Sequence, residues 1–129
     1  MAYNEQENAN LAHVRGLYEN VLFPLDSSRV DDYIAANYIQ HSSLAEPGVA
    51  ALKAWLDARR EDSPDAKQTI HRMFADGDHV IVHIELHRWK DDPGMAVVDI
   101  FRLENGLIAE HWDVLQDIPT DPVNSNTMF

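Results

Sequence analysis

The stretch Ala96–Pro119, AVVDIFRLENGLIAEHWDVLQDIP, decides how the rest of the chain is read. Two runs rich in Val, Ile, Leu and aromatic residues flank Glu104-Asn105-Gly106, a turn signal. A connection this short requires antiparallel neighbours, so Met95–Glu104 and Leu107–Gln116 are expected to form a hairpin. Yet the hairpin carries Asp99, Glu110, His111 and Asp113, and ionisable groups are costly to bury unless they are paired or used. Strand alternation sorts them. Ala109, His111, Asp113 and Leu115 share one face of the second strand; Ile108, Glu110, Trp112, Val114 and Gln116 share the other. In the first strand Val97, Asp99, Phe101 and Leu103 oppose Ala96, Val98, Ile100 and Arg102.

The same period extends upstream. Thr69–Ala75 and His79–Lys90 read as strands, separated by the turn signals ADGD and DDPG. In the long strand His79, Ile81, His83, Glu85, His87 and Trp89 share a face, and Val80, Val82, Ile84 and Leu86 share the other. The first half of the chain has helical spacing instead. Leu11, Val14, Leu17, Tyr18, Val21 and Leu22 form one apolar face, ended by Pro24. Ser27 and Ser28 are expected to cap a short helix through Val30, Tyr33, Ile34 and Ala35. After YIQHSS, a strand or turn, a third helix is expected from Pro47 with Val49, Leu52, Trp55 and Leu56 on its apolar side. Helices followed by hairpins imply an α+β fold with the helices on one face of the sheet. We read residues 1–129 as a single domain, with 117–129 an extended C-terminal arm broken by Pro119 and Pro122.

Bulk composition narrows the function. The chain has 129 residues and no cysteine, which excludes a disulfide framework, a Cys-ligated zinc and a thiol nucleophile. Asp and Glu number 22 against 10 Lys and Arg, a formal net charge of −12. Such a surface repels phosphate, so neither nucleic acid nor an anionic membrane is an expected partner. The polar start MAYNEQENAN is not that of a signal peptide, and no apolar run reaches the roughly 20 residues of a membrane span. A cytoplasmic location is expected.

Pooling the strands gives a sheet of two characters. Val82, Ile84, Leu86, Val98, Ile100, Ile108, Trp112 and Val114 make one face apolar; the other mixes apolar residues with His83, Asp99, His111 and Asp113. Either the mixed face meets water and the apolar face meets the helices, or the mixed face covers a cavity and the apolar face is a subunit interface. Periodicity alone leaves both open.

The run Ala96–Pro119 strongly resembles the SnoaL-like proteins, the polyketide cyclases or aldol-condensing enzymes, within the wider group similar to nuclear transport factor 2 and ketosteroid isomerase. The resemblance extends more weakly over the whole chain. It implies a cone-shaped α+β barrel, in which N-terminal helices close a deep apolar pocket wrapped by a strongly curved, mainly antiparallel sheet. It also implies the second assignment above: Asp99, Phe101, His111 and Asp113 look inward. Asp99 of Asp99-Ile100-Phe101-Arg102 matches the D-x-F-R aspartate that the ketosteroid isomerases use in an oxyanion hole. His111 and Asp113 match the histidine and aspartate, two residues apart, to which proton transfer is ascribed in the cyclases. The isomerases' tyrosine and general-base aspartate have no counterpart in these motifs, so steroid isomerisation is not implied.

Cofactor-free aldol chemistry needs a base beside a carbonyl, a stabilised enolate and an acid for the alkoxide, and an Asp–His pair supplies such proton transfers. The expected catalytic residues are Asp113, assisted by His111, with Asp99 stabilising an oxyanion or holding a histidine. Arg88 is the alternative, structural partner for Asp99. His41, His83, Phe101, Trp55 and Leu115 are the expected substrate-binding residues. The ligand is expected to be a small hydrophobic carbonyl compound, turned over by cyclisation, lyase or isomerase chemistry; a non-catalytic ligand-binding or dimerisation module of the same fold is the alternative. A homodimer is expected through Val82, Ile84, Val98, Ile100 and Trp112. No cofactor is expected, and no metal: His79, His83 and His87 share a face, but ligands four apart on a strand lie about 13 Å apart, and only His83, Glu85 and His87 are near enough to cooperate.

Overall fold

The computed structural model describes residues 2–129. The first helix, α1 (Glu5–Leu17), starts at a capping box: the Asn4 side chain accepts from the Glu7 amide at 2.8 Å, and the Glu7 carboxylate accepts from the Asn4 amide at 3.1 Å. It runs on into a π-helical turn, Tyr18–Leu22, in which Tyr18 and Val21 are buried. Pro24 follows and removes the donor needed to continue. A 3₁₀ turn, Ser27–Asp32, is capped by Asp26, not by the expected serines; its carboxylate accepts from the Ser28 amide at 3.0 Å.

Ile34 and Ala35, expected in that short helix, belong instead to β1 (Ile34–Gln40). Their backbone is drawn into the sheet by parallel pairing with the last strand, a contact that local helical spacing does not register. Then come α2 (Val49–Asp62), β2 (Lys67–Asp76), β3 (His79–His87), β4 (Met95–Glu104) and β5 (Leu107–Asp117). The sheet order is β1-β5-β4-β3-β2, antiparallel except at β1–β5. The sheet is curved and unclosed, with β1 and β2 at its edges, so the fold is the expected α+β cone.

Strand β3 ends three residues earlier than expected because Asp92 clamps the chain. Its carboxylate accepts from the Arg88 amide (2.8 Å), the Arg88 guanidinium (2.8 and 3.0 Å) and the Gly94 amide (3.1 Å). Gly94 has φ 100°, and a Cβ there would lie 2.8 Å from the His87 ring, so only glycine fits.

Register corrects the pooled faces. Val82 pairs with Asp99, which pairs with Asp113; Val80 pairs with Phe101, which pairs with His111. Residues directly opposite share a face. The inward face therefore joins Val80, Val82 and Ile84 to Asp99 and Asp113, whereas His83 faces outward beside Val98. Val82 and Ile84 are core residues, 0% and 1% exposed, packed with Val14, Leu17 and Tyr18, and cannot serve as a subunit interface. A bulge adds a further correction: Leu103 pairs with Ile108 but Arg102 pairs with Glu110, so Ile108 is in the core while His111 still points inward.

The arm after β5 leaves the sheet with the Ile118 amide donating to the Gly94 carbonyl at 2.9 Å. It ends with Phe129 stacked on His71, 4.6 Å between ring centres, on the outside of the sheet. Among the described residues no helix is long and apolar enough to cross a membrane.

Candidate active site

Between the helices and the inward face of the sheet lies a cavity of about 630 Å³. Its walls are apolar, with Leu17, Leu22, Trp55, Val97, Phe101 and Leu115 among them. Arg59 and Arg88, with side chains 38% and 35% exposed, stand at the mouth. Asp99 and His111, at 12% and 14%, lie deep.

Neighbouring strands assemble the deep end. Direct pairing of Asp99 on β4 with Asp113 on β5 brings two carboxylates together. Strand alternation puts His111, two residues before Asp113, on the same side, and one oxygen or nitrogen from each of Asp99, His111 and Asp113 lies within 4.8 Å of the others. His111 Nε2 is 2.8 Å from Asp99 Oδ1. On the other side of the ring, His111 Nδ1 is 2.6 Å from Gln40 Oε1 on β1. The Tyr18 hydroxyl donates to Asp99 Oδ2 from the helical layer. Burial, followed by the negative charge and hydrogen bond of Asp99 and the more distant Asp113, raises the Tyr18 pKa well above its ordinary value. The phenol therefore stays protonated as a donor.

Asp113 differs from its neighbours. Its Oδ1 is buried and has no hydrogen-bond partner, the only such side-chain atom among the described residues. A buried acceptor left empty is uncommon and calls for a functional explanation.

Asp99, His111 and Asp113 are thus brought together, and Trp55, Phe101 and Leu115 line the cavity. Two expected substrate-binding residues are elsewhere. His41 stacks on Trp112, with ring centres 4.9 Å apart, and meets Glu110 at 2.6 Å on the outer face. His83 faces outward against Arg72 and Phe129 because β3 is registered one residue from the assumed face; burial, then the charges of Arg72 and His71, lower its pKa. Nor does Arg88 hold Asp99; it is taken by Asp92 and Asp117. Tyr18 and Gln40 were not anticipated. Tyr18 reads as one more apolar residue on the helix, although a buried tyrosine hydroxyl signals a partner in the core.

A metal fits this cluster poorly. Asp99 Oδ1 and His111 Nε2 face each other, Asp99 Oδ2 receives Tyr18 and His111 Nδ1 meets Gln40, so a cation would have to break existing bonds. On the outer face Glu85 meets His71 at 2.9 Å and His87 at 2.6 Å, so the anticipated His83 is not part of that set.

The model of the SnoaL-like domain matches residues 14–111. The chain belongs to the SnoaL-like domain family. Solved structures agree on the fold. A proposed SnoaL-like polyketide cyclase from Jannaschia sp. CCS1 is 15% identical, with a TM-score of 0.75 over 95% of this chain and 99% of that one. A proposed polyketide cyclase from Bacillus cereus ATCC 10987 is 17% identical, TM-score 0.71, over 83% and 74%. AclR, a proposed hydroxylase from Streptomyces galilaeus, is 17% identical, TM-score 0.64, over 92% and 89%. Identities this low establish a shared fold and leave the chemistry to the site. No curated protein matches the sequence.

Proposed function

We propose that this SnoaL-like protein is a cofactor-independent acid/base enzyme acting on a small apolar carbonyl compound, in an aldol-type cyclisation or a related lyase or isomerase reaction. The observation that carries the reading is the unpartnered, buried Oδ1 of Asp113, a residue that lines the apolar cavity beside an Asp–His pair. Asp113 takes a proton from the carbon next to the substrate carbonyl. The enolate formed attacks a second carbonyl carbon, and the resulting alkoxide takes the proton back from Asp113, so no net proton is consumed. Asp99 and His111 hold a fixed polar wall beside the base, while the apolar lining excludes water and strengthens each of these interactions.

The test is turnover of a panel of aromatic 1,3-dicarbonyl compounds by wild type and Asp113→Asn. Loss of general acid–base catalysis is expected to lower turnover by about 10²–10⁴-fold with folding intact. A variant as active as wild type removes Asp113 from the mechanism. A wild-type protein that binds the panel and converts none of it supports the ligand-binding reading instead.

We also propose a homodimer, now through the outward residues Ile81, Val98, Ile100, Trp112 and Val114, of which Val114 is 66% exposed. A monomer by light scattering at micromolar concentration overturns it.

A further inference from the structure

We infer that Gln40 is a positioning residue that decides which ring nitrogen of His111 carries a proton, and so keeps both ring nitrogens engaged beside Asp113. The inference deepens the acid/base reading and rests on it for its catalytic consequence. Gln40 Oε1 lies 3.0 Å from the Ser42 backbone N–H, a pure donor, so the amide oxygen must face this side. The same oxygen lies 2.6 Å from His111 Nδ1. An amide oxygen carries no proton, so Nδ1 must be the donor. The cross-strand pairing of Gln40 with His111, and the His41 amide donating to the His111 carbonyl at 2.9 Å, hold the two side chains in this relation.

With Nδ1 protonated, one proton occupies the 2.8 Å gap between His111 Nε2 and Asp99 Oδ1, whichever atom it sits closer to. Asp99 Oδ2 is already occupied by the Tyr18 hydroxyl. Neither ring nitrogen is then free to accept a substrate proton, and each Asp99 oxygen already accepts one hydrogen bond. Asp113 Oδ1 is free. Gln40 and Tyr18, at opposite ends of the Gln40–His111–Asp99–Tyr18 chain, hold the Asp–His pair as one hydrogen-bonded unit beside Asp113.

The test is ¹⁵N-histidine NMR of the full chain at neutral pH, which reports protonation at each ring nitrogen. Wild type is expected to show His111 protonated at Nδ1. Gln40→Glu keeps an acceptor and is expected to retain that signal. Gln40→Leu removes the acceptor and is expected to shift the ring toward Nε2–H, lowering the Nδ1–H population about tenfold, the ratio one such hydrogen bond sets. An unprotonated Nδ1 in wild type, or unchanged Nδ1 protonation in a folded Gln40→Leu, overturns the assignment; if the leucine variant does not fold, the wild-type and glutamate spectra decide. If the spectra follow expectation but Asp113→Asn still turns substrate over, Gln40 stands as the determinant of the tautomer and the acid/base reading fails.

Discussion

Asp92 and Asp113 are two aspartates with buried carboxylate oxygens, and they are treated in opposite ways. Asp92, 5% exposed, has both oxygens saturated by Arg88 and two backbone amides. The Arg88 bonds foremost, and then the amides, hold its pKa well below the usual carboxylate range. Asp113 has one buried oxygen with nothing attached. The difference separates a carboxylate that fixes a turn from one that is kept available. A saturated carboxylate has no lone pair to offer a substrate; an empty one stabilises nothing in the folded protein and is best explained by what binds there.

This contrast can be broken in several ways. The largest effect is expected from Asp113→Asn, with turnover down about 10²–10⁴-fold and little change in melting temperature, because no native hydrogen bond of its buried oxygen is lost. Asp92→Asn should do the reverse, giving the largest fall in melting temperature of the substitutions considered and near-normal turnover in the protein that remains folded. Its acid dependence follows from the sign of the shift. The folded pKa lies below the unfolded one, so the contribution of Asp92 is fully present above the unfolded value, near 3.9, and is lost as pH falls through the folded value. Urea midpoints of wild type should therefore decline more steeply below about pH 4 than those of Asp92→Asn.

Tyr18→Phe leaves Asp99 Oδ2 without its donor in a buried place, a cost of about 1–3 kcal/mol in urea unfolding, accompanied by slower turnover. The smallest effect is expected from His83→Ala. This residue lies outside the cavity, so stability should change by no more than about 0.5 kcal/mol and turnover should not change. A large loss of turnover there would show that the inward face has been misassigned.

The hairpin that opened the reading was legible in its turn and its strands, though not in the bulge that brings Ile108 into the core. Asn105 and Gly106 take φ values of 53° and 79°, the left-handed turn that Asn-Gly favours, and β4 spans the expected residues. Alternation within β4 and β5 also placed Asp99, His111 and Asp113 on one side. What alternation could not supply was the phase of one strand against its neighbour. A slip of one residue exchanges faces, and this put Val82 and Ile84 outside and His83 inside. Tyr18 and Gln40 were hidden for a related reason. Each acts through a partner more than 70 positions away in sequence, Asp99 and His111 respectively, and its own neighbourhood reads as ordinary helix or edge strand.

The most direct test of the central claim needs no knowledge of the natural substrate. Wild type and Asp113→Asn are incubated in D₂O with an apolar aromatic 1,3-dicarbonyl probe bearing one substituent on its central carbon, and exchange of the remaining central C–H is followed by proton NMR. Wild type is expected to speed exchange above the buffer rate and Asp113→Asn to return it to that rate. Equal exchange by both proteins would contradict the assignment of Asp113 as the base.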